Sequence, residues 1–339
     1  MPPTPVIDIH SHFFPESWPD FDLRFGGPPW PAIRHDAPGR ATIMIGDTPF
    51  RPIESACWDM ERRLADMDRD GVDIQVMSAT PVLFAYDRPA DQALEVAKLF
   101  NDSARVLAER GDGRIETLCQ VPLQDPDAAC REVSRAMAAG HLGVEIGNHV
   151  GVRNLDDPGI LTFLHHCADE GAAVLVHPWD MMARERMADY MMGWTVGMPA
   201  ETQLAIVSLI LGGGFERLPE SLRICFAHGG GSFAFLLGRL ENAWHRRDLA
   251  RGRITRPPSA YLDRFHVDSA VFDPRALDLL CAVMGTERVM LGSDYPFPLG
   301  EETIGGLVRG AATLSPADKA GILGANAHGF LGLDRRGAA

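Results

Sequence analysis

The chain has 339 residues, of which 46% are hydrophobic and 23% charged, and its formal net charge is -14. That length suits one large barrel or two ordinary domains, and the composition is that of a globular protein with a sizeable core. The acidic balance argues against a nucleic-acid or anionic-membrane partner, and with Lys98 and Lys319 the only lysines, any anionic ligand must be met by arginines.

Residues 1–7 are too short and proline-rich for a signal peptide ahead of the first strand. Short runs rich in Val and Ile then recur along the chain, each followed by a longer helical pattern. Strands are expected at Val6–His10, Asp73–Ser78, Ile115–Val121, Gly143–Ile146, Ala173–His177, Arg223–Ala227, Phe265–Asp268 and Val289–Ser293. Helices are expected at Arg62–Asp70, Ala90–Glu109, Pro126–Ala139, Pro158–Glu170, Pro199–Gly212, Gly231–Arg247, Arg275–Met284 and Ser315–Leu323. Nearly continuous apolar strands are buried on both faces, as in a parallel sheet wrapped by helices. Eight such alternations predict a (β/α)8 TIM barrel, a single domain over 1–339. No GxGxxG fingerprint opens the first helix, which disfavours a dinucleotide fold.

Residues 13–59 form a Pro- and Gly-rich insertion after the first strand, expected to cover the active-site mouth. Within it, Ala41–Ile45 and Thr48–Ile53 flank Gly46-Asp47 and read as a hairpin. The apolar stretch Leu204–Phe215 contains three consecutive glycines and falls short of a membrane span. The six cysteines are scattered without a CxxC pair, so neither a disulfide framework nor a zinc finger is expected, and a reducing cytoplasm fits.

The residues able to do chemistry cluster at strand ends. His10 and His12 lie in Asp8-Ile9-His10-Ser11-His12, where alternation turns Asp8, His10 and His12 to one face. An HxH pair alone is a weak signal, equally read as ordinary polar contacts. Three further strands, however, end in His177, His228 and Asp294, where barrel enzymes place catalytic groups. His10, His12, His177 and Asp294 make an N/O set suited to one divalent ion, most naturally Zn2+. Gly229, Gly230 and Gly231 after His228 leave room for a ligand, which makes His228 a general acid or base beside the metal and its water. No lysine falls at a strand end, and the fourth strand runs out into Gly147-Asn148-His149, so a second metal is not expected. His149 is a weaker site candidate, and an arginine such as Arg51 or Arg239 is on its own most simply a solvated surface charge.

The stretches IDIHSHFFPESW, HPWDMM, GMPAETQLAI, CFAHGGGSFAFLLGR and LGSDYPFPLGE together resemble the amidohydrolase-related (amidohydrolase-2) family, from Ile7 to about Leu333. The resemblance implies a mononuclear zinc site at His10, His12, His177 and Asp294, with His228 as acid–base residue. It implies Arg51 as a ligand for a substrate carboxylate, Arg239 as a second one reaching across a homodimer interface, and Trp194 and Phe297 as aromatic pocket walls. The activity it implies is non-oxidative loss of CO2 from 2-amino-3-carboxymuconate 6-semialdehyde, giving 2-aminomuconate 6-semialdehyde, in cytoplasmic breakdown of tryptophan through kynurenine and 3-hydroxyanthranilate. The alternatives are a sister decarboxylase acting on a hydroxybenzoate of the γ-resorcylate or 5-carboxyvanillate type, a mononuclear metal-dependent hydrolase, and a barrel whose metal is merely a staple.

Overall fold

The computed structural model describes residues 4–333; the ends of the expected 1–339 domain, 1–3 and 334–339, lie outside the described residues. Eight parallel strands follow one another in chain order around one sheet. They are β1 (Ile7–Phe13), β2 (Ile74–Ala79), β3 (Ile115–Cys119), β4 (Gly143–Gly147), β5 (Ala173–His177), β6 (Arg223–Phe226), β7 (His266–Asp268) and β8 (Val289–Met290). The backbone beyond β8 closes the barrel against β1. Ile9 donates to the Leu291 carbonyl at 2.9 Å, Asp294 to the His10 carbonyl at 3.0 Å, and His12 to the Tyr295 carbonyl at 2.7 Å. The regular ladder of β8 is shorter than expected because β7, on which it pairs, ends at Asp268 opposite Met290, and the Leu291 N–H donates instead to the Ile322 carbonyl at 2.8 Å.

Helices α1 (Met60–Asp70), α2 (Ala90–Glu109), α3 (Pro126–Ala138), α4 (Pro158–Asp169), α5 (Met198–Leu211), α6 (Phe233–Arg246) and α7 (Pro274–Met284) surround the sheet. Three of them begin with the same device. Asp125, Asp157 and Asp273 cap the first backbone N–H groups of α3, α4 and α7, and a proline follows each cap. The carboxylate satisfies orphan donors while proline presets the first helical residue, so these starts are legible from sequence. Helix α6 begins later than expected because Gly231, at φ 64°, cannot be its first turn. The last helical stretch runs past the expected Leu323, through a π segment at Gly321–Ala325 to Asn326–Leu331.

Two layers of apolar packing hold the barrel. Val144, Ile146, Val174, Val176, Ile224 and Phe226 face the helices, whereas Ile9, Val76, Leu175, Cys225 and Met290 belong to the cluster that fills the interior. Extended upstream by a π segment, α5 belongs to a helix, Gly193–Leu211, that reaches the length and apolarity of a membrane span, longer than the expected stretch. Its Thr202, Ala205, Ile206, Leu209 and Ile210 are buried, and the apolar ones Ala205, Ile206, Leu209 and Ile210 join the cluster packed on the barrel wall.

The expected hairpin is present and larger than expected. Pro31–Ala37, Arg40–Ile45 and Thr48–Glu54 form a three-stranded antiparallel sheet. The strand Pro31–Ala37 was not expected: most of its residues are exposed, so apolar alternation does not announce it.

Candidate metal centre and its cavity

Alternation along β1 is broken, and this corrects one expectation. The β1–β2 register shifts between Asp8 and Ser11, so Ile9 and His10 both turn inward. A bulge displaces every side chain before it to the other face. Asp8 therefore does not share the face of His10 and His12. It accepts instead from Gln75 Nε2 at 2.9 Å and Ser293 Oγ at 2.6 Å, and Gln75 in turn accepts from Arg63 at 2.7 Å. The wholly buried Arg63 also donates to Ser11 Oγ (3.2 Å), the His12 carbonyl (2.6 Å) and the Ala56 carbonyl (3.1 Å), which ties the outer side of β1 to α1.

His10, His12, His177 and Asp294 converge as expected. One nitrogen or oxygen from each lies within 4.8 Å of the others, and all four residues are buried. His10 Nε2 faces His12 Nε2 at 3.1 Å, and Asp294 Oδ1 stands 3.2 Å from His12 Nε2 and 3.6 Å from His10 Nε2. His177 supplies the test of whether a cation fits. Its Nδ1 donates to the Pro178 carbonyl at 2.9 Å, which leaves the lone pair on Nε2, and that buried Nε2 has no hydrogen-bond partner among the described residues. A buried acceptor aimed at two imidazoles and a carboxylate is the donor set of a divalent metal site.

Electrostatics agree with that reading. Burial lowers His12 to about 4, and burial together with neighbouring imidazoles holds His177 well below its ordinary value, so both rings are neutral and able to ligate. Burial opposes ionisation of Asp294, but the His12, His228 and His10 imidazoles beside it hold it well below the usual carboxylate range. Burial also disfavours a charge on His10, yet the Asp268 hydrogen bond and charge outweigh it and raise the ring to about 9. A cation occupying the centre must displace that proton.

His228 stands beside this cluster and outside it. Its Nε2 is 3.6 Å from Asp294 Oδ2, its ring centroid is 5.0 Å from that of His177, and its buried Nδ1 has no hydrogen-bond partner among the described residues. The residue itself is left-handed at φ 55°, followed by three glycines of positive φ.

Sequence reasoning missed two buried acids. Asp268, at the end of β7, places Oδ2 at 2.6 Å from His10 Nδ1. Glu145, inside β4, places Oε1 at 3.9 Å from His12 Nδ1, and burial pushes its carboxyl up to about 8. The available signal for each was a charge on the inward-facing alternation of an otherwise apolar strand.

A cavity of about 1250 Å3 opens from the cluster, lined by His12, His177, His228 and Asp294 and by Arg51, Trp194 and Phe297. Arg51 comes from the insertion and lies 4.5 Å over the Phe297 ring. Arg184, which had not been singled out, lines the same cavity and pairs with Asp180. Arg239 lies exposed on α6 and is not among the residues lining this cavity. His149 does not line it either; its ring is held by the Gly151 carbonyl at 2.8 Å and the Asp180 carbonyl at 3.1 Å, a support for the loop after β5.

A family model described as Amidohydrolase matches residues 7–333. The chain belongs to this amidohydrolase family. It is 42% identical over 330 residues to a 2-amino-3-carboxymuconate-6-semialdehyde decarboxylase of Dictyostelium discoideum, covering 97% of this chain and 92% of the relative. A protein of the same name from Caenorhabditis elegans is 33% identical, with 97% and 94% covered. Among solved structures, a Polaromonas dihydroxybenzoic acid decarboxylase with bound manganese and the inhibitor 2-nitroresorcinol superposes with a TM-score of 0.79 at 19% identity, covering 98% of each chain. That likeness establishes the shared fold.

Proposed function

We propose that this amidohydrolase-family protein is a metal-dependent carboxy-lyase that removes CO2 without oxidation from 2-amino-3-carboxymuconate 6-semialdehyde, yielding 2-aminomuconate 6-semialdehyde. The observation that carries the reading is the cavity, in which Arg51 faces one chamber with His12, His177 and Asp294 of the cluster. The substrate is supported by the 42% identical relative, which matches almost the whole chain.

His10, His12, His177 and Asp294 would hold one divalent ion, with zinc favoured by three imidazoles and one carboxylate. When bound, the ion supplies positive charge where negative charge develops on the substrate. Arg51 binds a substrate carboxylate through its planar fork, which in an acidic protein is a local answer to an anion. Phe297 and Trp194 give the conjugated substrate apolar walls and limit water. His228 delivers a proton to the carbon that loses CO2, where it stays as the new C–H bond; the electron pair of the broken C–COO bond restores the conjugated double bond, and water re-protonates the imidazole for the next turnover. Arg239 would add a second carboxylate contact from the partner subunit of a homodimer. Residues 1–339 would act as one catalytic domain in the cytoplasm, with 13–59 over the mouth, in kynurenine and 3-hydroxyanthranilate breakdown.

The test supplies the semialdehyde, generated in situ from 3-hydroxyanthranilate by its dioxygenase, with metal content measured on the same sample. Decay accompanied by stoichiometric trapped CO2 is expected. Decay no faster than spontaneous cyclisation to quinolinate would sink the assignment, and turnover of γ-resorcylate or 5-carboxyvanillate instead would move the protein to the sister reaction.

A further inference from the structure

We propose that Asp268 is a positioning residue that uses one carboxylate oxygen to set His10 and the other to hold the His228 turn. The proposal rests on the metal-centre reading above and extends it to a residue outside the ligand set.

Asp268 ends β7 and is fully buried. Its Oδ2 lies 2.6 Å from His10 Nδ1. Its Oδ1 accepts from the backbone N–H of Gly229 at 2.8 Å and from that of Ala270 at 3.1 Å. An ionised carboxylate can only accept, so His10 must carry a proton on Nδ1. A neutral imidazole protonated there has its lone pair on Nε2, the nitrogen that faces His12 and Asp294. Asp268 therefore selects the tautomer in which His10 can ligate, as outer carboxylates do behind metal-binding histidines.

The second oxygen acts on a different element. His228 holds φ 55° and ψ 47°, a backbone that residues other than glycine seldom adopt, and such a conformation persists only when its surroundings impose it. The Gly229 N–H that Asp268 binds is the next backbone donor after His228. One carboxylate thus spans a ligand on β1 and the acid–base residue after β6, contacts that lie 258 and 39 residues apart in sequence. The arrangement has no slack: a side chain at Gly292 would place its Cβ 2.8 Å from Asp268 Cβ and 2.9 Å from His10 Cβ. If Asp268 merely filled the interior, its two oxygens could serve any pair of donors, and neither limb would touch metal affinity or turnover.

Asp268→Asn and Asp268→Ala separate the limbs. In Asp268→Asn the side-chain carbonyl still accepts from Gly229, but the amide donates to His10 Nδ1 and drives the ring proton to Nε2. Metal affinity, measured for Zn2+ in competition with a chromophoric chelator, should fall about 10–100-fold. The melting midpoint of the metal-free variant should stay near that of the metal-free parent, and the visible spectrum of Co2+-loaded protein should change. At saturating metal, kcat of Asp268→Ala should lie about tenfold or more below that of Asp268→Asn, because only the alanine variant releases Gly229. Unchanged Zn2+ affinity in Asp268→Asn overturns the His10 limb. Equal kcat in the two variants at saturating metal overturns the His228 limb. Should Asp268→Ala not fold, Asp268→Leu, close in shape to asparagine but unable to accept from Gly229, takes its place against Asp268→Asn in the same kcat comparison. A parent protein that takes up no divalent ion overturns the metal-centre reading itself.

Discussion

Phe297 lies between Arg51 and His12: the guanidinium stands 4.5 Å over the Phe297 ring, and the same ring packs on His12 with centroids 5.4 Å apart. The cation is thereby held at a set distance from the metal centre, in a site where burial lowers the Arg51 pKa without removing its charge. Phe297→Ala should raise KM for the semialdehyde about tenfold, the size of one lost stacking contact, with a smaller fall in kcat. Arg51→Lys should do worse than Phe297→Ala, because a point charge does not replace the fork; steady-state kinetics decide the order.

His228 touches the cluster without belonging to it, so its loss should separate chemistry from metal binding. His228→Ala is expected to lower kcat by about 10²–10⁴-fold while bound metal, measured by elemental analysis, stays near that of the parent. Loss of metal together with activity would make His228 a ligand.

Arg63 is a buried charge with four acceptors, one of them the His12 carbonyl. Arg63→Met leaves Gln75 and Asp8 buried with a broken chain of partners, and should cost about 3 kcal/mol in a urea titration of the metal-free protein. Activity should fall further than stability explains, because the HxH segment loses its outer support.

His266 provides a pH test remote from the ligands. Burial, with the nearby Arg288 charge, lowers the ring to about 4 from its ordinary 6.5. The unfolded chain therefore binds a proton that the folded chain refuses between those two values. The stability His266 contributes is complete above pH about 6.5 and declines as pH falls towards about 4, by at most about 3 kcal/mol. Melting midpoints of metal-free parent and His266→Phe at pH 7.5 and 5 should show the smaller drop in the variant; equal drops would remove His266 from the account.

How much of this was legible before the structure follows from range. The alternation of apolar runs and helical patterns and the ligand-type residues at strand ends are local patterns, and the strands, the helices and the converging His-His-His-Asp set stand close to where they were read. From them the sequence by itself determined a barrel and the four residues, His10, His12, His177 and Asp294, that converge at its strand ends. Tertiary structure decided the remainder. The register slip in β1 sends Asp8 to the other face, since strict alternation carries direction only until one extra residue interrupts it. Asp268 and Glu145 looked like isolated charges because the groups that give them meaning lie on other strands. The metal centre is likewise a property of closure: β1 must meet the end of β8 before Asp294 can stand 3.2 Å from His12. Local propensity cannot encode such a contact, because it exists only after the chain has paid the entropy of bringing its two ends together.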